Sequence, residues 1–252
     1  MIEDLKVKTI LVSQPEPKSD ASPYHDLARK QKVNVDFRPF IHVEGVSAAD
    51  VRQQKVSFTD HTAVILTSRN AVDHYFRVCE EMRFEVPTAM KYFCMSEAIA
   101  FYLQKYITYR KRKIYYGKQL FVDLIDTIKK HKTENFLLPS SDLLKPVIPQ
   151  LLEDNKINYT RAILYKTVCS DLSDLEDVFY DILVFFSPSG IKSLFQNFPN
   201  FIQNNTRIAA FGQTTVKAVA EAGLKVDIEA PSVKAPSMTM ALEQYIKGVN
   251  KK

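Results

Sequence analysis

Hydroxyl side chains stand where apolar runs give way to helix-like patterns, and this is the clearest chemistry in the 252-residue chain. Thr67, Ser68 and Asn70 precede one such segment, and Ser140, Ser141 and Asp142 precede a second. Ser187 and Ser189 precede a third, and Thr214 and Thr215 open a fourth after Gly212. The first turn of a helix leaves backbone N–H groups unpaired and carries partial positive charge, so it takes up carboxylates or phosphates. In a parallel α/β sheet these turns gather at the C-terminal strand ends. Each of these residues is also an ordinary helix cap, and one turn alone reads as no more than that. Four turns at repeated positions point to a ligand with several anionic groups.

Other chemistries lack their motifs. The six glycines are spread so that the nearest two, Gly212 and Gly223, are eleven residues apart, which excludes both G-x-G-x-x-G and a Walker loop. There is no H-E-x-x-H, the five histidines have no metal-ligand spacing, and no G-x-S-x-G occurs. The basic run RKRK at 110–113 reads as a solvated loop or sheet edge. Asp171, Asp174, Glu176 and Asp177 read as the acidic start of a helix. Tyr165 by itself reads as packing, and Cys79 and Cys94 as core filling.

The elements that must position these residues follow from the apolar pattern. Strands are expected at 7–12, 63–66, 91–95, 113–115, 135–138, 182–186 and 207–211. Helices are expected at 25–31, 71–81, 97–106, 120–131, 143–155, 190–195 and 214–221, with 248–252 frayed. Continuous apolar strands between amphipathic helices indicate parallel sheets covered on both faces, an α/β fold. Two stretches break the alternation, near 33–43 and 158–168, and read as exposed strands that pair as a two-strand hinge. The expected division is a discontinuous lobe one, 1–39 with 168–252, and a lobe two, 40–167. A weak internal repeat agrees: with an offset of 119 residues Ser68 falls on Ser187 and Asn70 on Ser189, and with an offset of 116 Ser96 falls on Gly212.

Composition sets outer bounds. The chain is 46% apolar and 25% charged, as a folded domain is, and its net charge of +5 suits a small anionic ligand but is too weak to imply nucleic acid. Cys79, Cys94 and Cys169 are far apart with no C-x-x-C, which favours a reducing, cytoplasmic setting. Met1, Ile2, Glu3 and Asp4 lead into a short apolar run followed by Pro15 and Pro17, a strand and loop rather than a signal peptide. No apolar stretch approaches the ~20 residues of a membrane span.

Several segments, in order along nearly the whole chain, resemble uroporphyrinogen-III synthases: LTSRNAV at 66–72, FLLPSSDLLKPVIPQLL at 136–152, LYKTV at 164–168, FFSPSG at 185–190 and IAAFGQTT at 208–215 with Gly223 after it. The resemblance implies two α/β lobes joined by a two-strand ladder, and a monomeric enzyme that needs no cofactor or metal. It implies closure of hydroxymethylbilane, a linear tetrapyrrole with eight carboxylates, to uroporphyrinogen III in a cleft between the lobes, with inversion of ring D and loss of water. Tyr165 matches the tyrosine of the family's V-Y-x-T pattern, a candidate to assist departure of the substrate hydroxyl as water. Ser68 and Asn70 match the T-S-x-N-A-V turn, Ser187 and Ser189 the F-S-P-S turn, and Thr214 and Thr215 the G-x-T-T turn. The chain departs from the family at Ser13 and Gln14, where many members place an arginine, and at Ser96 and Glu97, where a G-x-x-T turn is usual. The rival readings are a non-catalytic two-lobed binding protein for an anionic small ligand or a tetrapyrrole, and a scaffold that engages an acidic partner through 110–113.

Overall fold

The computed structural model describes residues 6–108 and 110–251, so the reading made of Met1–Asp4 lies outside the described residues. The chain forms two units, residues 1–42 with 168–252 and residues 43–167. The first holds β1 (Thr9–Val12), α1 (Pro23–Gln31), β2 (Asn34–Phe37), β9 (Ile182–Phe185), α7 (Pro188–Asn197), β10 (Arg207–Phe211), α8 (Gln213–Glu221), β11 (Ile228–Ala230) and α9 (Met238–Asn250). Its sheet runs β11-β10-β9-β1-β2, parallel throughout. Side chains alternate across this sheet. Ile10, Val12, Ile182, Val184 and Ala209 pack with Leu27 of α1 and with Leu242 and Ile246 of α9. Their neighbours Leu11, Leu183, Phe185, Ile208 and Ala210 pack with Ile191 and Leu194 of α7 and Val219 of α8. A strand buried on both faces needs apolar residues at every position, which is why these strands read as unbroken apolar runs.

The second unit repeats the plan with α2 (Ala48–Gln53), β4 (Ala63–Leu66), α3 (Arg69–Glu81), β5 (Lys91–Cys94), α4 (Glu97–Tyr102), β6 (Ile114–Tyr116), α5 (Val122–Lys129), β7 (Phe136–Ser141) and α6 (Val147–Asp154). Its sheet runs β3-β8-β7-β4-β5-β6, where β3 is Ile41–Gly45 and β8 is Tyr159–Cys169. Val64, Leu66, Tyr92 and Cys94 face α3 and α4, while Ala63, Ile65, Phe93 and Phe136 face α5 and α6. Asp73 of α3 fastens the two covering helices: Tyr102 donates to both its oxygens at 2.9 Å and Tyr106 to one at 2.5 Å. Burial works to raise the Asp73 pKa, but the Tyr106 and Tyr102 hydroxyls and the Lys105 charge outweigh it and hold the carboxyl below its ordinary value.

Four expectations change. The stretch 33–43 is two strands, not one: residues 34–37 join the first sheet beside β1, and after Pro39 the chain re-forms as β3 beside β8. Proline has no N–H for a ladder and restricts the residue before it, so the strand breaks there. The helix expected over 143–155 begins only at Val147, because β7 continues through Pro139 and Ser140 to Ser141. The acidic cluster after β8 makes a single 3-10 turn, Ser173–Leu175, with Arg38 paired to Asp174 at 2.9 Å, and no α-helix. Residues 248–250 are not frayed: they end α9, where the Asn250 side chain accepts from Val7 N–H at 2.8 Å and donates to Val7 O at 3.0 Å.

Histidines set an acid limit to stability. His61 is 8% exposed with Nδ1–H donating to Ser57 O at 2.6 Å, and burial lowers its pKa against the opposing pull of Ser57 and Asp60. His131 packs on Phe93 and Tyr115, and burial followed by the Lys91 charge lowers its pKa too. Unfolded, these imidazoles protonate near 6.5. Folded, they do so only at lower pH. Their contribution is therefore complete above the unfolded value and drains away as pH falls through the folded one. The urea midpoint should drop between about pH 7 and 5, and less steeply in His61→Asn. Parallel profiles for parent and variant would contradict this assignment.

Candidate functional site

Tyr165 lies near the C-terminal end of the second unit's sheet. The register of β7 with β8 runs Pro139↔Ala162, Ser140↔Ile163, then Ser141↔Tyr165, so Leu164 is the extra residue of a bulge. A bulge turns two consecutive side chains toward one side, and Leu164 and Tyr165 both pack into the cluster under α3. The bulge is held from two directions. Arg161 Nε donates to Ser140 Oγ at 2.9 Å, and its Nη2 donates to the carbonyls of Ser141 at 2.8 Å and Asp142 at 3.0 Å. Asp142 N–H donates to Tyr165 O at 3.2 Å, and its carboxylate accepts from Thr167 N–H at 3.1 Å.

The Tyr165 ring is 7% exposed, and its hydroxyl shares a hydrogen bond of 3.2 Å with Ser68 Oγ. Ser68 is the cap of α3 and also accepts from Ala71 N–H at 3.0 Å. Burial raises the Tyr165 pKa above its ordinary value of 10.0, with the Ser68 bond acting the other way, so the phenol keeps its proton at neutral pH. The His74 imidazole stacks on the phenol, with centroids 4.9 Å apart and planes 17° apart. Arg69, the first residue of α3, adds a cation at the helix start, 5.3 Å above the Tyr102 ring.

The other expected residues divide clearly. Asn70 is exposed in the first turn of α3. Ser187 caps α7 with the geometry of Ser68: φ −156° against −157°, its Oγ accepting from Gly190 N–H at 3.3 Å, with Ser189 half-buried in the first turn. Gly212 caps α8 at φ +84°, a conformation that favours glycine, and Thr214 is exposed in the first turn. Two residues expected to bind ligand are turned inward. Ser140 is 1% exposed, and its hydroxyl is engaged by Arg161 and Ser141 O. Because α6 starts later, Ser140 and Ser141 stand at no helix N-terminus. Thr215 is fully buried, and its hydroxyl has no partner among the described residues. His74 and Arg77 were invisible as site residues in the sequence, since they lie inside α3 at positions that read as an ordinary amphipathic face.

A cavity of about 540 Å³ in the first unit, lined by Leu183, Phe198 and Phe201, opens by the loops that precede β9 and β10. That is the opposite end of the strands from the hydroxyl turns, and its walls are mostly apolar. Among the described residues no three His, Cys, Asp or Glu side chains gather as a metal site requires, and no helix is long and apolar enough to cross a membrane.

Parallel sheets covered on both faces, in two units of which one is discontinuous, define a two-lobed α/β protein. The sequence profile described as uroporphyrinogen-III synthase HemD matches residues 22–240, and the chain belongs to that family. It is similar to the uroporphyrinogen-III synthase of Saccharomyces cerevisiae, 27% identical over 139 residues, 49% of this chain and 50% of the yeast protein. It is also similar to that of Chlorobaculum parvum, 28% identical over 124 residues, 46% of this chain and 50% of that protein. The chain thus spans about half the length of the curated relatives it matches. The solved uroporphyrinogen-III synthetase of Helicobacter pylori shares the fold, with a TM-score of 0.62 at 18% identity over 96% of this chain and 99% of that one.

The inward-facing hydroxyls give opposite predictions. Ser140→Ala removes the acceptor of Arg161 and should cost about 1–3 kcal/mol in chemical denaturation. Thr215→Val removes a buried hydroxyl without a partner and should be neutral or stabilising by about 1 kcal/mol. Destabilisation by Thr215→Val would show that its hydroxyl has a partner.

Proposed function

We propose that the protein is a uroporphyrinogen-III synthase, a hydro-lyase of heme biosynthesis that closes hydroxymethylbilane to uroporphyrinogen III with inversion of ring D and release of water. The observation that carries this reading is the protonated, buried phenol of Tyr165 paired with Ser68 at a sheet's C-terminal end. Family membership and the hydroxyl-capped helix starts of both units support it.

Departure of the substrate hydroxyl breaks a C–O bond with both electrons going to oxygen, so that oxygen needs a proton. Tyr165 supplies it, water leaves, and a cation remains on the methylene carbon. With Ser68 donating to Tyr165, the phenol proton is free for the leaving group and the phenolate that forms already has a hydrogen-bond donor. Inversion requires that this cation first bond to the ring D carbon that already carries the bridge from ring C; that older bridge bond then breaks, leaving the cation on the ring C methylene, which bonds to the free carbon of ring D, and the proton this carbon releases returns to the phenolate. Overall the substrate loses one water. In this reading each of the starts of α3, α7 and α8, with Ser68, Asn70, Ser187, Ser189, Gly212 and Thr214, is a place where a substrate carboxylate can be held through N–H and hydroxyl groups. Glu97 at the start of α4 accepts from Tyr116 at 3.2 Å, and its charge makes that turn the poorest of the set for a carboxylate. A cytoplasmic, monomeric enzyme is part of this reading, and the three free thiols suit the reducing compartment.

A coupled assay that supplies fresh hydroxymethylbilane, with separation of the oxidised I and III isomers, tests it. The III isomer should predominate, and Tyr165→Phe should lower turnover about 100-fold or more while moving the melting temperature little. Only the I isomer would refute the synthase, and tight substrate binding without conversion would favour the binding protein.

A further inference from the structure

His74 and Arg77 stand beside Tyr165 and take no part in the proton transfer itself. Their geometry is nonetheless fixed from several sides. Arg77 Nε donates to His74 Nδ1 at 3.1 Å, Nη1 to Glu81 at 2.6 Å, and Nη2 to the carbonyls of Val46 at 2.8 Å and Leu164 at 3.1 Å. The guanidinium therefore grips the bulge residue next to Tyr165 while it fixes the imidazole stacked on Tyr165. Gly45 leaves it the room: a Cβ there would lie 2.8 Å from the guanidinium carbon. Arginine only donates, so His74 Nδ1 must accept and the ring carries its proton on Nε2. Burial, followed by the Arg77 charge, lowers the His74 pKa against Asp73 and Glu81, which agrees with a neutral ring.

We propose that His74, locked by Arg77, is a positioning residue for Tyr165, and that its stacked ring sets the phenol plane and so the direction of the hydroxyl. This rests on the reading of Tyr165 as proton donor. The strand fixes the Tyr165 backbone but leaves two side-chain torsions, and a flat wall at stacking distance removes the freedom that remains. Ser68 then meets the hydroxyl at one place. A small error in that direction is expensive for a proton transfer.

The test is a double-mutant cycle of His74→Ala with Tyr165→Phe, read as kcat and KM for formation of the III isomer. His74→Ala should lower kcat about tenfold and leave KM within about twofold. It should have no further effect once the Tyr165 hydroxyl is gone. His74→Phe, which keeps a flat ring, should recover most of the lost turnover. Unchanged kcat in His74→Ala, or the same fold-loss in both backgrounds, would overturn the proposal and leave the proton-donor reading intact. Parental turnover in Tyr165→Phe alone would sink that reading and the proposal with it. If His74→Ala does not fold, Gly45→Ala replaces it in the same cycle, since it displaces the guanidinium without touching either ring, and the same two outcomes decide.

Discussion

Burial in an apolar cluster disfavours the anion of a phenol and lifts its pKa above the ordinary value, and the phenol is tolerable there only if its hydroxyl has a partner. Tyr165 is held protonated by its burial, against the pull of the Ser68 bond, and Ser68 supplies the partner. Much of the second unit's irregular structure serves that single contact. The bulge at Leu164 aims the ring, Arg161 and Asp142 hold the strand end beside it, and Arg77 grips the bulge from the α3 side. A regular strand would need none of these bonds, and would turn Leu164 and Tyr165 to opposite faces.

The two units solve the same local problem with one device. A serine after an apolar strand adopts extended backbone geometry and caps the next helix through the N–H three residues on. Such a cap stabilises a helix by about 1 kcal/mol, which is reason enough for Ser187. Ser68 does this and one thing more, because its oxygen also meets the Tyr165 hydroxyl. The capping role alone explains why the two serines look alike in sequence, and the second contact explains why they differ in chemistry. The later turns diverge further. Gly212 stands where the other unit has Ser96, and neither makes a side-chain cap bond.

Sheets and covering helices were readable because strands buried on both faces leave unbroken apolar runs, as in 63–66 and 207–211, whose bounds the structure keeps. The readings that failed involve competition that periodicity does not register. At 139–141 the parallel pairing with β8 and the grip of Arg161 carry a strand through a proline and two serines that read as a helix start. At 238–250 the apolar residues 238, 241, 242, 245 and 246 do carry the helical period, but Pro231 and Pro236 just before them mask an element that closes the first unit against Val7. Among the candidate residues, the caps Ser68, Ser187 and Gly212 were visible because helix caps have strong local preferences. The inward turn of Ser140 and Thr215 was not, because it depends on side chains distant in sequence. His74 and Arg77 were hidden for the same reason: their partners Val46 and Leu164 come from other elements.

Everything proposed for Tyr165 depends on its hydroxyl being protonated and shielded in the folded protein. The direct measurement is an NMR titration of protein labelled at the tyrosine Cζ carbon, with the Tyr165 signal identified by its absence in Tyr165→Phe. The account predicts that this signal titrates with a midpoint above 10.0, the ordinary tyrosine value. A midpoint at or below that value would contradict the account, because the ring would then be solvated or beside a cation rather than sealed against Ser68 and His74.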